Sequence, residues 1–219
     1  MQNRHLASQT GLSLLELSVT LAIGGVLVLL QMRQQTEALR LAQMDNESKW
    51  VAAVMSDIPI QIGSSNYAKL DNFTLGAIRS VPPAFLHPNV LGTTVDNGFG
   101  GQVTVAPLSL AGPNNAYALT YTNIPQQSCA QMVAFFSKAG DAIGKPIFGI
   151  VGKTGGDPSL DNIGVDLAEK NIVLKKTVAE QKVLKPSSTA GLAMDQVASF
   201  CKSEIVAGGQ PRALTLIRY

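Results

Sequence analysis

One carboxylate stands inside the most apolar stretch of the sequence, and its position indicates a chemical role. The stretch GLSLLELSVTLAIGGVLVLL, residues 11–30, has Glu16 as its only charged residue. A carboxylate in a membrane helix costs about 2.5–3.5 kcal/mol, so it should have a compensating function. Cleavage after Gly11 would create an ammonium group at Leu12, about one helical turn from Glu16. Between staggered neighbouring helices the two groups could pair and set the axial register of an assembly.

The element that must position Glu16 is an apolar helix. At about 1.5 Å per residue, a helix over residues 12–30 would be about 28 Å long, enough to cross the hydrocarbon core of a membrane. A secretory signal peptide or a simple anchor is the alternative interpretation. A signal peptide should end in a small-x-small cleavage site, and the following QMRQQTEALRLAQ, residues 31–43, offers no convincing one.

The start of the chain resembles the class III leader of type IV prepilins. The residues that carry the resemblance are the short leader with Arg4, then GLSLLE, residues 11–16. The resemblance implies that a membrane-embedded prepilin peptidase cleaves between Gly11 and Leu12, removes residues 1–11 and methylates the new Leu12 amine. Mature type IVa pilins usually begin with Phe. A mature chain that begins with Leu resembles the IVb branch instead.

Helical spacing continues beyond the apolar run. We expect one helix from about Leu12 to about Met55, ended by Pro59 and Gly63, within a segment 12–63 whose half 12–30 is apolar and whose half 31–58 is amphipathic. Its second half should pack on a globular head. The apolar positions at steps of three or four are Leu39, Ala42, Trp50, Val51, Val54, Met55 and Ile58. The polar positions expected in water are Arg33, Glu37, Arg40, Asp45, Glu47 and Lys49.

The remaining residues, 64–219, mix strands with short helices. Alternating polar and apolar residues on either side of the turn Gly112-Pro113-Asn114-Asn115 predict a hairpin. The order, one long helix and then strands with helices inserted late, predicts an α+β fold in which a long N-terminal α-helix packs on an antiparallel β-sheet head. The predicted elements are strands over residues 100–108, 116–124, 171–176 and 212–219, and helices over residues 70–79, 125–140 and 188–201.

Two later segments extend the resemblance over most of the chain. AYALTYTNIPQQSCAQMVAFF, residues 116–136, is similar to the central strand and cysteine-bearing helix of type IVb pilins, and MDQVASFC, residues 194–201, is similar to the segment around their second cysteine. The resemblance places the head in the periplasm, where disulfides persist. We therefore expect a bond between Cys129 and Cys201 that bounds a C-terminal region, residues 129–201. The alternative is two free buried thiols.

Several other patterns predict no site. The formal net charge is only +2, so no nucleic-acid partner is expected, and a solvated face explains the lysines at 170, 175, 176 and 182. The phosphate-loop motif needs a glycine immediately before FGIVGKTGG, residues 148–156, and the sequence has Ile147 at that position. We therefore expect residues 148–156 to form a glycine-rich loop. Calcium at the carboxylates of residues 157–166 is conceivable, but solvated turns are favoured and no metal is predicted.

Catalysis is poorly supported by the sequence. After cleavage at Gly11 the only histidine left is His87, in a loop setting without a nucleophile-elbow pattern. We expect no enzyme activity and no cofactor, although chemistry based on lysine, cysteine or carboxylates is not excluded by the sequence alone.

The function that the resemblance implies is that of a structural subunit, a major pilin. It would wait in the inner membrane of a Gram-negative bacterium with a periplasmic head, then join a helical extracellular filament used for adhesion, aggregation or conjugative mating contact. Its partners would be copies of itself, the prepilin peptidase, an inner-membrane assembly platform, minor pilins and, before assembly, membrane lipid. The alternatives are a minor pilin or pseudopilin and, from another class, a membrane-anchored periplasmic binding protein or enzyme.

Overall fold

The fold is α+β, as predicted, with a long N-terminal helix and an antiparallel sheet. The computed structural model describes residues 14–63, 66–89, 92–139, 149–156, 158–202 and 212–218. It divides the chain into two units, Met1–Ala42 and Gln43–Tyr219. The helices are α1 (Leu14–Ile62), α2 (Asn72–Ala77), α3 (Gln126–Ala139) and α4 (Met194–Lys202). The strands are β1 (Leu86–Asn89), β2 (Gly92–Asp96), β3 (Gln102–Leu108), β4 (Ala116–Ile124), β5 (Gly149–Lys153), β6 (Ile163–Asp166), β7 (Asn171–Leu174), β8 (Gln181–Lys185) and β9 (Arg212–Arg218).

The main sheet has seven strands in the order β1-β2-β3-β4-β9-β5-β8, and every pairing is antiparallel. Strands β6 and β7 form a separate hairpin. The last strand, β9, lies between β4 and β5 and is buried over its whole length. Burial lowers the pKa of the Arg212 guanidinium, whose Nε donates to the Phe200 carbonyl at 3.2 Å.

The main core lies between the rear of α1 and the sheet. Residues Val51, Val54, Met55 and Ile58 of α1 are at most 1% exposed and share one cluster with side chains of β4, β9, α3 and α4. Of the predicted apolar face, Trp50, Val51, Val54, Met55 and Ile58 are buried, whereas Ala42 and Leu39, the latter at 72% exposure, are exposed.

The long helix ends later than the predicted position near Met55, because α1 runs through Pro59 to Ile62, near the end of the expected segment 12–63. Proline has no N–H, so it deprives the carbonyl four residues earlier, that of Met55, of its helical partner. Two side chains of the sheet replace that partner: the Tyr117 hydroxyl donates to the Met55 oxygen at 2.6 Å, and the Arg218 guanidinium also donates to it. Gly63, with φ +100°, then ends the helix as predicted, its N–H bonded to the Pro59 oxygen at 3.1 Å.

The prediction of a glycine-rich loop over residues 148–156 is wrong for Gly149–Lys153, which form the buried strand β5. Glycine lowers β propensity, but at Gly152 close packing requires it. A Cβ there would lie 2.9 Å from Leu184 Cδ1 and 3.0 Å from the Phe200 ring, and both side chains are buried. The sequence reading also missed β1, β2, β6 and β8.

A buried carboxylate joins the rear of α1 to the sheet. Glu47 was expected in water, yet it is only 2% exposed. Its Oε2 accepts from Trp50 Nε1 at 2.7 Å and from the Tyr121 hydroxyl, and its Oε1 accepts from the Gly98 N–H at 2.7 Å. Burying a charge is costly unless it is hydrogen-bonded, and bonds to an ionised acceptor are stronger than neutral ones. The Tyr121 and Gly98 donors therefore fix how α1 meets β4 and the turn before β3, while the Trp50 bond lies within α1.

The contact between Glu47 and Tyr121 also affects the protonation of the Tyr121 hydroxyl. Burial raises the pKa of Tyr121, and the neighbouring Glu47 carboxylate raises it further. The phenol therefore stays protonated at physiological pH and donates to the Glu47 carboxylate.

Glu47→Gln should destabilise the head by about 1–3 kcal/mol, because the amide NH2 cannot accept and leaves at least one buried donor without its acceptor. The measurement is urea denaturation in mild detergent, followed by the fluorescence of Trp50, the only tryptophan. The matched control is Glu37→Gln on the same helix, where an exposed pair with Arg40 is lost and little change is expected. Equal shifts of the two midpoints would contradict this role for Glu47.

Candidate functional site

The front of α1 carries a long apolar surface that is exposed in the structure. Its large apolar side chains are each between 48% and 86% exposed. Within the described residues, α1 is the helix long and apolar enough to cross a membrane. The exposed side chains, which we call the apolar segment, are Leu14, Leu17, Val19, Leu21, Ile23, Val26, Leu27, Val28, Leu29, Leu30 and Met32.

Glu16 lies in the first turn of α1, within the apolar segment. Its side chain is exposed, and its backbone oxygen accepts from Thr20 Oγ1 at 2.7 Å. A carboxylate in a first helical turn interacts favourably with the unpaired N–H groups and the positive end of the helix dipole. The helix therefore tolerates the charge at this place better than it would in its middle. The expected cleavage residues, Gly11 and Leu12, and the leader 1–11 lie outside the described residues.

The two cysteines tie α3 to α4. Cys129 and Cys201 are joined with an S–S distance of 2.05 Å and a Cα–Cα distance of 5.6 Å across 72 positions. Closing such a loop is worth about 4.4 kcal/mol in the chain-entropy model, of which about 2–4 kcal/mol is typically realised. The closed region supplies β5 and β8 at one edge of the sheet and the separate β6–β7 hairpin. The bond thus closes the region of the chain that contains these four strands.

Among the described residues, the remaining polar candidates are not gathered into a catalytic site. His87 lies on β1, where its Nε2 is 3.4 Å from a carboxylate oxygen of Asp96 and its side chain is 59% exposed. Asp166 accepts from the Ala168 N–H at 2.9 Å within its own turn. Among the residues that the structure describes, no three histidine, cysteine or acidic side chains are grouped to hold a metal ion. Asp157 lies outside those residues.

Comparisons with known proteins identify a family. The family described as PilS N terminal matches residues 41–154, slightly more than half of the chain. Among curated protein sequences none matches. Two solved structures are similar to this chain. One is a type IVb pilin from Salmonella typhi, with 15% identity, a TM-score of 0.46 and coverage of 80% of this chain and 96% of that one. The other is TcpA, a type IV pilin from Vibrio cholerae El Tor, with 16% identity, a TM-score of 0.49 and coverage of 81% and 99%.

The family match covers the rear of α1, strands β1 to β5 in chain order, and the helix that carries Cys129. The apolar front with its single carboxylate lies before the matched residues and agrees with the prepilin pattern of residues 11–16. The chain therefore belongs to the PilS N-terminal family.

Proposed function

We propose that the chain is the major pilin of a type IVb pilus, the subunit that builds the filament. The observation that carries the proposal is the apolar segment, because a surface of this length and composition cannot remain in water. Fully burying one of its Leu, Val or Ile side chains is worth about 1.5–3 kcal/mol. Lipid covers the segment before assembly, and neighbouring copies of the same segment cover it in the filament core.

The membrane and the filament make different demands on Glu16. In lipid an isolated carboxylate is unfavourable. In the filament core it can meet the Leu12 ammonium of a neighbouring subunit, provided that the prepilin peptidase has removed residues 1–11. A buried ion pair is costly to desolvate, so its main contribution is to fix one axial register among several apolar packings of similar energy.

The other proposed partners follow from this route. An inner-membrane assembly platform lifts the subunit out of lipid, and minor pilins take part in building the filament. The head stays in the periplasm until assembly and is extracellular afterwards, which agrees with the disulfide. As a surface filament, the pilus serves adhesion, aggregation or mating contact.

Electron microscopy and composition analysis of filaments sheared from cells test the major role. We expect this chain to be the most abundant protein of the filaments. A trace amount would assign it to the minor pilins, and its absence from filaments would place it among anchored periplasmic proteins; either result would overturn the proposal.

Mass spectrometry of the protein from filaments tests the processing. We expect cleavage between Gly11 and Leu12 and one methyl group on the Leu12 nitrogen. An N-terminus beyond Leu30 would contradict the pilin pathway, since the apolar segment would then be absent from the mature protein.

Glu16→Gln keeps the shape of the side chain and removes its charge. Insertion into the inner membrane should be intact or slightly better, because the carboxylate no longer has to enter lipid, whereas filament yield should fall sharply. The measurement is the ratio of sheared to membrane-bound pilin by immunoblot. Glu37→Gln, the same change farther along α1, should leave that ratio unchanged. Filaments of normal number and length from the Glu16→Gln strain would show that Glu16 has another role.

A further inference from the structure

A cationic cavity lies in the disulfide-bounded region of the head. It has a volume of about 300 Å³, and its walls come from the end of β5, the turn Leu160–Asn162 and the connection between β7 and β8. Its described lining includes three lysines, Lys153, Lys175 and Lys176, and one carboxylate, that of Asp161. Lining of one dominant sign in a concave site focuses the potential and attracts ions of the opposite sign.

The walls are held together by hydrogen bonds, so the lysine backbones have fixed positions. The Asn162 side chain bridges the two walls: its Oδ1 accepts from the Lys176 N–H at 2.8 Å and its Nδ2 donates to the Lys176 oxygen at 3.0 Å. The Lys175 N–H donates to the Asn162 oxygen at 2.8 Å. Gln181, only 3% exposed, closes the floor and accepts from Asn162 at 3.4 Å.

The lining suits a phosphate group. The cations among the described lining residues are lysines, which bind phosphate as compact point charges. Lys175 Nζ is directed by a bond of 2.9 Å to the Asp161 backbone oxygen. Val178 adds an apolar wall that suits the carbon face of a sugar or a glycerol unit.

We propose that this cavity binds a phosphate group carried by a sugar or by a lipid headgroup. The expectation of a merely solvated lysine face is refined accordingly: Lys175 and Lys176 belong to the cavity, while Lys170 and Lys182 are not part of its lining. Lys153 comes from the glycine-rich segment, and only the pairing of β5 with β8 brings it to the other two. The site differs from a nucleotide-binding loop because it lies at the end of a strand and not before a helix.

Phosphorus NMR titrations of the full chain in a phosphate-free, non-ionic detergent test the proposal. The probes are inorganic phosphate, glucose 6-phosphate and glycerol 3-phosphate, at low ionic strength. We expect all three to bind and their affinities to fall as salt is added. A preference for glucose 6-phosphate indicates a sugar phosphate as ligand, and a preference for glycerol 3-phosphate indicates a lipid headgroup; either result supports the site.

Two matched variants separate the charge of the cavity from its fold. Val178→Glu places a carboxylate on the apolar wall and should weaken phosphate binding about tenfold or more. Val178→Gln introduces a side chain of nearly the same shape as glutamate without its charge and should change the affinity by less than about twofold. The double variant Lys175→Gln with Lys176→Gln should also bind phosphate about tenfold more weakly. The control, Lys138→Gln with Lys202→Gln, removes the same charge elsewhere on the head and should have little effect.

Circular dichroism melting of each variant confirms that the head is folded. No binding by the wild-type chain up to about 10 mM ligand, or equal losses in the Lys138/Lys202 control, would overturn the proposal. So would binding by Val178→Glu as tight as by Val178→Gln.

Discussion

The strongest physical constraint on this chain is the exposed apolar surface at the front of α1, which is unfavourable in water. The side chains of the apolar segment are at least 48% exposed, and the helix is long and apolar enough to cross a membrane. We propose that lipid, and later other copies of the segment, cover this surface. In that proposal the single carboxylate of Glu16 gives otherwise interchangeable apolar contacts one preferred alignment.

In the proposed route from membrane to filament the front of α1 changes its environment, while polar contacts help to hold its rear to the sheet. Glu47 accepts from Tyr121 and Gly98 and, within α1, from Trp50. The Met55 carbonyl, which lacks a helical partner because of Pro59, accepts from Tyr117 and Arg218. Apart from the Trp50 bond, each contact joins α1 to β4, β9 or the turn before β3. Apolar packing alone would tolerate sliding of the helix along the sheet, whereas buried hydrogen bonds penalise every register except one.

Periodic elements could be predicted from the sequence, and features that depend on distant partners could not. Alternation located β3, β4 and β9, and helical spacing located α1 and α3, because each pattern is local. Strand β5 was not predicted because its glycines are typical of a loop. The reason for Gly152, close packing against Phe200 and Leu184, depends on residues far away in the sequence. Glu47 was placed in water because nothing near it in sequence announces Tyr121 or Gly98. The lysine cavity likewise requires Lys153 to meet residues more than twenty positions later. At the front of α1, by contrast, the run of apolar residues and the isolated Glu16 are visible in the sequence itself.

A cryo-EM map of purified filaments, resolved well enough to place side chains, is the most direct test of the proposed pairing between Glu16 and a neighbouring Leu12. We expect the apolar segments to fill the filament core and each Glu16 carboxylate to lie within about 4 Å of the Leu12 nitrogen of a neighbouring subunit. A map in which the apolar segments lie outside the core, or in which Glu16 faces solvent or a different partner, would contradict it.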